Sequence, residues 1–178
     1  MRYGPIHGIV LFGALALILG FVNFQIADRQ AILDDGRTVL VPLAPVDPRS
    51  LMQGDYMRLA YDVPAMEEPA GGGDPPREGA VVVTLDQAGI ATIDRLDDGG
   101  ALASGELLLR YKLRFPGGGL WWPGQRARLS FGDSFFFPEG QAHDYGGARY
   151  AVLKVDEDGE SVIAGLADDE ARPIAPGE

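Results

Sequence analysis

The chain has no cysteine among its 178 residues, and only two histidines. Without Cys there is no disulfide, no thiol nucleophile and no thiolate metal ligand. The histidines are His7, at the edge of an apolar run, and His143. His143 with Asp144 and Glu139 is one imidazole and two carboxylates, short of the donor set a structural or catalytic zinc uses. Basic residues are also scarce, 15 against 26 acidic, for a net charge of −11. Arg2 alone precedes Asp28, so residues 28–178 hold 14 of the 15 basic residues and all 26 acidic ones, a net −12. Such a surface is repelled by phosphate backbones, which argues against nucleic acid as a partner. No Gly-rich loop follows a strand and opens a helix, so the phosphate-cradling motifs are missing. Asp156, Asp158 and Glu160 are too closely spaced for an EF-hand and read as a solvated hairpin turn. These absences leave no cofactor and no metal to expect.

Acidic residues are absent from the first 27 positions altogether. From Gly8 to Phe24 no charge interrupts Gly-Ile-Val-Leu-Phe-Gly-Ala-Leu-Ala-Leu-Ile-Leu-Gly-Phe-Val-Asn-Phe. At ~1.5 Å per residue this run spans about 26 Å, the short end of a membrane crossing, which Ile6, Ile26 and a snorkelling Arg2 extend. A cleaved signal peptide is the rival reading. It needs small residues three and one before the cut; Ala14 and Ala16 come too early, and at Ala27 the other position falls on Gln25. The run therefore reads as an uncleaved anchor with the bilayer as its partner. Arg2 and the α-amino group before it favour the N-terminus inside and the following domain outside. The helix is expected to continue through Leu33 and stop at Gly36, giving an anchor and stalk over residues 1–36.

The remainder reads as mainly β, a sandwich or barrel-like domain of antiparallel hairpins over residues 37–170, with an acidic, fraying tail at 171–178. Arg37 to Val41 begins the first strand. Ala80–Leu85 and Ile90–Leu96 form one hairpin, Tyr150–Val155 and Ser161–Leu166 another, and residues 64–79 are a Pro- and Gly-rich loop. Residues Gln141 to Arg149 suit a short helix weakened by Gly146-Gly147.

The most distinctive stretch is Gly54-Asp55-Tyr56-Met57-Arg58-Leu59-Ala60-Tyr61. It alternates: Met57, Leu59, Tyr61 and Val63 share one face, and Tyr56, Arg58, Ala60 and Asp62 the other. Gly54 and Asp55 suit a sharp entry into the strand. Packing alone accounts for Leu59 and Tyr61, which leaves Tyr56 and Arg58 as outward candidates for contact.

Candidate binding residues concentrate further on. Arg110, Lys112 and Arg114 alternate with Leu109, Tyr111 and Leu113; Arg126 and Arg128 alternate with Ala127 and Leu129. If the two segments pair, five cations share one face of a hairpin in an acidic domain. Cross-strand like charges repel, so acidic neighbours must neutralise this face or an anionic partner must occupy it. Phe135-Phe136-Phe137 puts apolar surface on both sides of its strand, so it packs between layers or presents one ring outward.

A catalytic arrangement is harder to assemble. Ser50 upstream of Gly54-Asp55, with Lys112 on a later strand, loosely evokes a membrane-tethered Ser/Lys hydrolase of the signal-peptidase kind. Ser50 stands too close to Gly54 for that pattern, and no Ser-Met pair precedes the Gly-Asp. Ser50 more simply caps the turn, and no other catalytic residue emerges.

Gly54-Asp55-Tyr56-x-x-Leu59-x-Tyr61 is a complete Gly-Asp-Tyr-x-x-Leu-x-Tyr string. With Asp47-Pro48-Arg49-Ser50-Leu51, Ser134–Gly140 and Ala148-Arg149-Tyr150, it resembles the bacterial membrane-anchored GDYXXLXY family over most of the chain. That resemblance implies an anchored domain of the bacterial inner membrane, set beside multi-spanning membrane proteins, with no assigned activity and no catalytic residues. The expected function is thus a single-pass, extracytoplasmic (periplasmic) binding or accessory domain working with an integral membrane partner. The alternatives are the tethered hydrolase and a plain spacer domain.

Overall fold

The computed structural model describes residues 5–44, 56–63, 76–114 and 128–175. The N-terminal run forms one uninterrupted helix, α1 (Pro5–Asp35). Proline is tolerated at its start because the first helical N–H groups have no partner inside the helix. Side chains from Val10 to Phe24 are exposed on every side, including Phe12 at 71% and Leu17 at 77%. A helix that is apolar all round and unburied by its own protein has the length and composition to cross a membrane.

The helix stops where the sequence places the stop. The Gly36 N–H donates to the Ile32 carbonyl at 2.9 Å, and β1 (Arg37–Pro42) begins at once. Gly36 is required by space: a Cβ there would overlap the Ile32 carbonyl and lie 3.1 Å from the Val155 nitrogen. Ile32 is the one buried side chain of the described part of the helix. Lys154 Nζ donates to the Gly36 carbonyl at 3.1 Å. The anchor is therefore seated on the domain at its base.

The domain is mainly β, as expected. Among the described residues the other strands are β2 (Tyr56–Arg58), β3 (Glu78–Leu85), β4 (Ala91–Leu96), β5 (Glu106–Arg114), β6 (Arg128–Ser130), β7 (Ser134–Phe136), β8 (Tyr150–Val155) and β9 (Ser161–Ala167). They form sheets ordered β1-β8-β9, β2-β7 and β4-β3-β5-β6, and every pairing between strands is antiparallel. Both expected hairpins are present, β3–β4 and β8–β9. The turn between β8 and β9 uses one carboxylate as its hub. Asp156 Oδ1 accepts the N–H groups of Asp158 (3.0 Å) and Glu160 (2.8 Å), and Gly159 adopts φ 79°. The Asp156–Glu160 string is thus spent on backbone.

One hydrophobic core serves all three sheets. Val39 and Val41 of β1, Met57 of β2, Val81 and Val83 of β3, Leu109 and Tyr111 of β5, and Leu153 and Leu166 of β8 and β9 belong to a single cluster. Val39, Val81, Val83, Leu109 and Leu153 are essentially inaccessible, each contributing about 1.5–3 kcal/mol of burial. Val82 is buried as well, so β3 is covered on both faces.

The signature strand is short, with three residues in the β2–β7 ladder and a further bridge from Tyr61 to Leu43. Its alternation is as expected: Met57 and Tyr61 are buried, while Arg58 and Asp62 are exposed. It is tied on both sides. Ala44 N–H donates to Ala60 O (2.7 Å) and Asp62 N–H to Pro42 O (2.9 Å); opposite, Leu59 N–H donates to Asp133 O (3.0 Å). The helix expected near Gln141–Arg149 is a 3₁₀ segment, Ala142–Gly147.

The C-terminal expectation needs correction over its first residues. Residues 171–175 fold back on β9: Ile174 N–H donates to Leu166 O at 2.9 Å, Pro173 bridges Ala167, and Ile174 packs on the core. Asp168 holds the turn by accepting from the Glu170 and Arg172 N–H groups, an Asx device invisible as long as the segment is read as mere acidity. Ser50, Gly54, Asp55 and Arg126 lie outside the described residues.

Candidate functional site

The basic hairpin forms with the register that places its cations together. In β5, Leu109, Tyr111 and Leu113 are buried, and Arg110, Lys112 and Arg114 are exposed between them. β6 pairs so that Arg114 stands directly opposite Arg128 and Lys112 opposite Ser130. Four of the five cations thus lie on one face.

Carboxylates from three other segments meet them. Glu78, at the start of β3, is 3.2 Å from Lys112. Asp133, in the β6–β7 connection, pairs with the Arg114 guanidinium, accepting from its Nε at 2.9 Å. Glu160, in the β8–β9 turn, lies 3.7 Å from Arg110 and 3.2 Å from Arg29 of α1. Arg110 Nε also donates to the Asp158 carbonyl at 3.0 Å. The neutralisation that like-charge repulsion demands is therefore supplied by the fold. Arg128 has no ion pair among the described residues.

Part of this face is concave. A groove of about 790 Å³ between the β5–β6 hairpin and β9 is lined by Arg110 and Lys112, by Val162 and Ile163, and by Arg29 of the helix; Arg114 and Arg128 do not line it. Its base is the Ser130–Ser134 turn, which the signature strand holds. The Tyr61 hydroxyl donates to the Gly132 carbonyl at 3.0 Å, and the Tyr61 ring meets Phe131 edge-on at 5.2 Å. Ser130 Oγ reaches the Gly132 carbonyl and Asp133 Oδ1, both at 3.2 Å. Burial pushes the Tyr61 phenol well above the usual tyrosine range, keeping it a neutral donor. The last residue of the signature thus builds the groove without facing a ligand.

The outward residues of the signature lie on a second surface. Tyr56 pairs across the ladder with Phe136, ring centroids 5.7 Å apart, and Arg58 pairs with Ser134. The Phe triplet divides by the pleat. Phe137 is buried against Tyr145, Phe135 packs on the core, and Phe136 is 72% exposed. A basic and aromatic ribbon therefore adjoins the turn that floors the groove.

Other candidates fare differently. Lys112 is 69% exposed and bonded to Glu78, a solvated and paired setting, whereas a Ser/Lys base works as a free amine in a dry pocket. His143 contacts Asp144 at 3.0 Å and Gly140 O at 3.2 Å, and no group of three potential metal ligands is found among the described residues. Sequence reasoning missed Glu78, Asp133, Glu160 and Arg29. Only the general requirement for neutralising neighbours pointed to them, because their partners stand 19 to 131 residues away.

An apolar helix long enough to cross a membrane, seated on a β-rich domain with a charged groove beside it, fits a membrane-anchored domain. Residues 18–166, from within the helix to β9, match the family model described as GDYXXLXY protein. The chain belongs to the GDYXXLXY family. No curated protein and no solved structure matches it.

Proposed function

We propose that this is a single-pass protein of the bacterial inner membrane whose extracytoplasmic domain, residues 37 to about 175, acts by binding, as an accessory subunit of an integral membrane partner. The groove between β5 and β9, with the Tyr56, Arg58 and Phe136 ribbon beside it, is the contact surface. One observation carries this reading: Arg29, on the anchor helix just past the apolar run, is part of the groove. A ligand in the groove is therefore met at the membrane rather than out in solution. The pairs that line it are exposed on both sides, with Lys112 and Glu78 each at 69%. Exposed pairs contribute only about 0–1 kcal/mol, so polar groups of a partner can replace them at little cost.

The test is purification of the full chain in mild detergent. A membrane protein should be retained in stoichiometric amount, and lost from the Arg110→Glu, Lys112→Glu double variant. Recovery of the wild-type chain with no such protein would overturn the reading. A reporter fused after residue 178 checks the side of the membrane.

A further inference from the structure

We propose that the crevice where α1 joins the domain docks a cationic, partly apolar juxtamembrane segment of that integral membrane partner; this deepens the accessory reading above and rests on it. The crevice encloses about 640 Å³ between the Asp28–Asp35 stretch of the helix, the start of β5 and the β8–β9 turn. Its floor is apolar, made by Ile32, Leu102, Leu107, Leu108 and Val155. Leu102 keeps 40% of its surface exposed there, one of few large apolar side chains left open among the described residues of the domain.

The charged lining is mostly acidic: Asp28, Asp35, Glu106, Asp156 and Glu157 against the single guanidinium of Arg37. Two of the five carboxylates are committed within the fold. Glu106 is bonded by Arg95 and by the Ala103 N–H, and Asp156 holds its turn. Asp28, Asp35 and Glu157 have no ion pair among the described residues. The neighbouring groove is different, since each of its carboxylates faces a cation. Unmatched carboxylates above an apolar floor repel anionic headgroups and acidic chains. They complement a segment that carries Lys or Arg above apolar side chains.

Height supports the origin of that segment. Asp28 is the first charged residue after the apolar run, and Asp35 follows about 10 Å further along the helix. The polar layer of a bilayer is roughly 5–8 Å deep on each side. The crevice therefore opens at the membrane surface, within reach of a chain that has just left the bilayer.

The protein has no Cys, so Ala101→Cys places a single environment-sensitive fluorophore beside Leu102 in the full chain, held in phosphatidylcholine nanodiscs. A synthetic Lys/Leu amphipathic peptide should bind saturably, and its Glu/Leu counterpart should not. The Asp35→Lys, Glu157→Lys variant should weaken binding roughly tenfold or more. A matched reversal at Glu139 and Asp169, which do not line the crevice, should leave it unchanged. Equal binding of both peptides, or equal losses from both reversals, overturns the proposal. So does quenching by brominated lipid that the peptide cannot relieve, since lipid then fills the crevice. Co-purification separates the two readings. If the crevice variant keeps the membrane partner as well as wild type does, the docking site is wrong and the accessory role stands. If wild type keeps no partner, the accessory role falls and the peptide titration alone decides the crevice.

Discussion

The Arg29 guanidinium of the anchor helix lies 3.2 Å from Glu160 Oε2 in the β8–β9 turn, linking positions 131 residues apart. With Arg110 at 3.7 Å on its other oxygen, Glu160 ties the helix to the groove wall. Glu160→Gln should change global stability by no more than about 1 kcal/mol, since both partners are solvated. It should loosen the helix relative to the domain. Spin labels at Ala27→Cys and Ala164→Cys should show one narrow distance distribution in the parent and a broader one in the variant. An unchanged width would show that Ile32 and the Gly36 junction hold the helix unaided.

Gly36 is the rigid point of that junction. The atoms a Cβ would meet belong to backbone, the Ile32 carbonyl and the Val155 nitrogen, so no side chain can move aside. Gly36→Ala should cost roughly 1–3 kcal/mol, as overpacking does. The melting temperature of the full chain in detergent measures it. Gly13→Ala, where nothing lies within 4 Å, should be silent and serves as the control.

Tyr61 makes stability sensitive to alkali. Its phenol is pushed up by burial, so the folded state holds the proton to higher pH than the unfolded chain, which releases it near 10. Above that pH the unfolded state binds fewer protons, and stability falls as pH rises, by up to about 1.4 kcal/mol per unit from this group. Below it, this contribution is fully present. Tyr61→Phe should flatten that part of the alkaline loss, leaving any from Tyr111, which burial also raises. At neutral pH it should cost about 0.5–1.5 kcal/mol for the lost bond to Gly132. Denaturant unfolding across pH 8 to about 12 checks both effects.

Phe136 and Phe137 are adjacent in sequence and opposite in role. Phe137→Ala removes a buried ring stacked 5.4 Å from Tyr145, an expected loss of about 3–5 kcal/mol. Phe136→Ser should leave thermal stability nearly unchanged, because the ring is 72% exposed. It should reduce retention of the membrane partner if the ribbon is a contact surface. Thermal melts and the detergent co-purification, run on both variants, separate the two roles.

Much of the architecture is legible in the sequence. An uncharged apolar run suits a membrane-crossing helix, and in the fold its side chains from Val10 to Phe24 stay exposed rather than entering the core. Alternation named the buried faces of β2 and β5 correctly, because the pleat sends neighbouring side chains to opposite sides. Over residues 171–175 composition is a poor guide: acidity suggests fraying, while the Asp168 turn and the half-buried Ile174 hold the segment against β9.

The local sequence determined the anchor, its stop at Gly36, the faces of the strands and the clustering of Arg110, Lys112, Arg114 and Arg128. Each follows from spacing a few residues long, except that Arg128 joins the others only because β6 pairs with β5. Only the tertiary structure decided which carboxylates meet those cations, that Arg29 of the helix joins them, and that Tyr61 holds the groove's floor. Those partners come from distant segments, and the packing of three sheets on one core brings them within hydrogen-bond reach. It also leaves Asp28, Asp35 and Glu157 at the crevice by the helix base without ion pairs among the described residues, a difference that no count of residues could reveal.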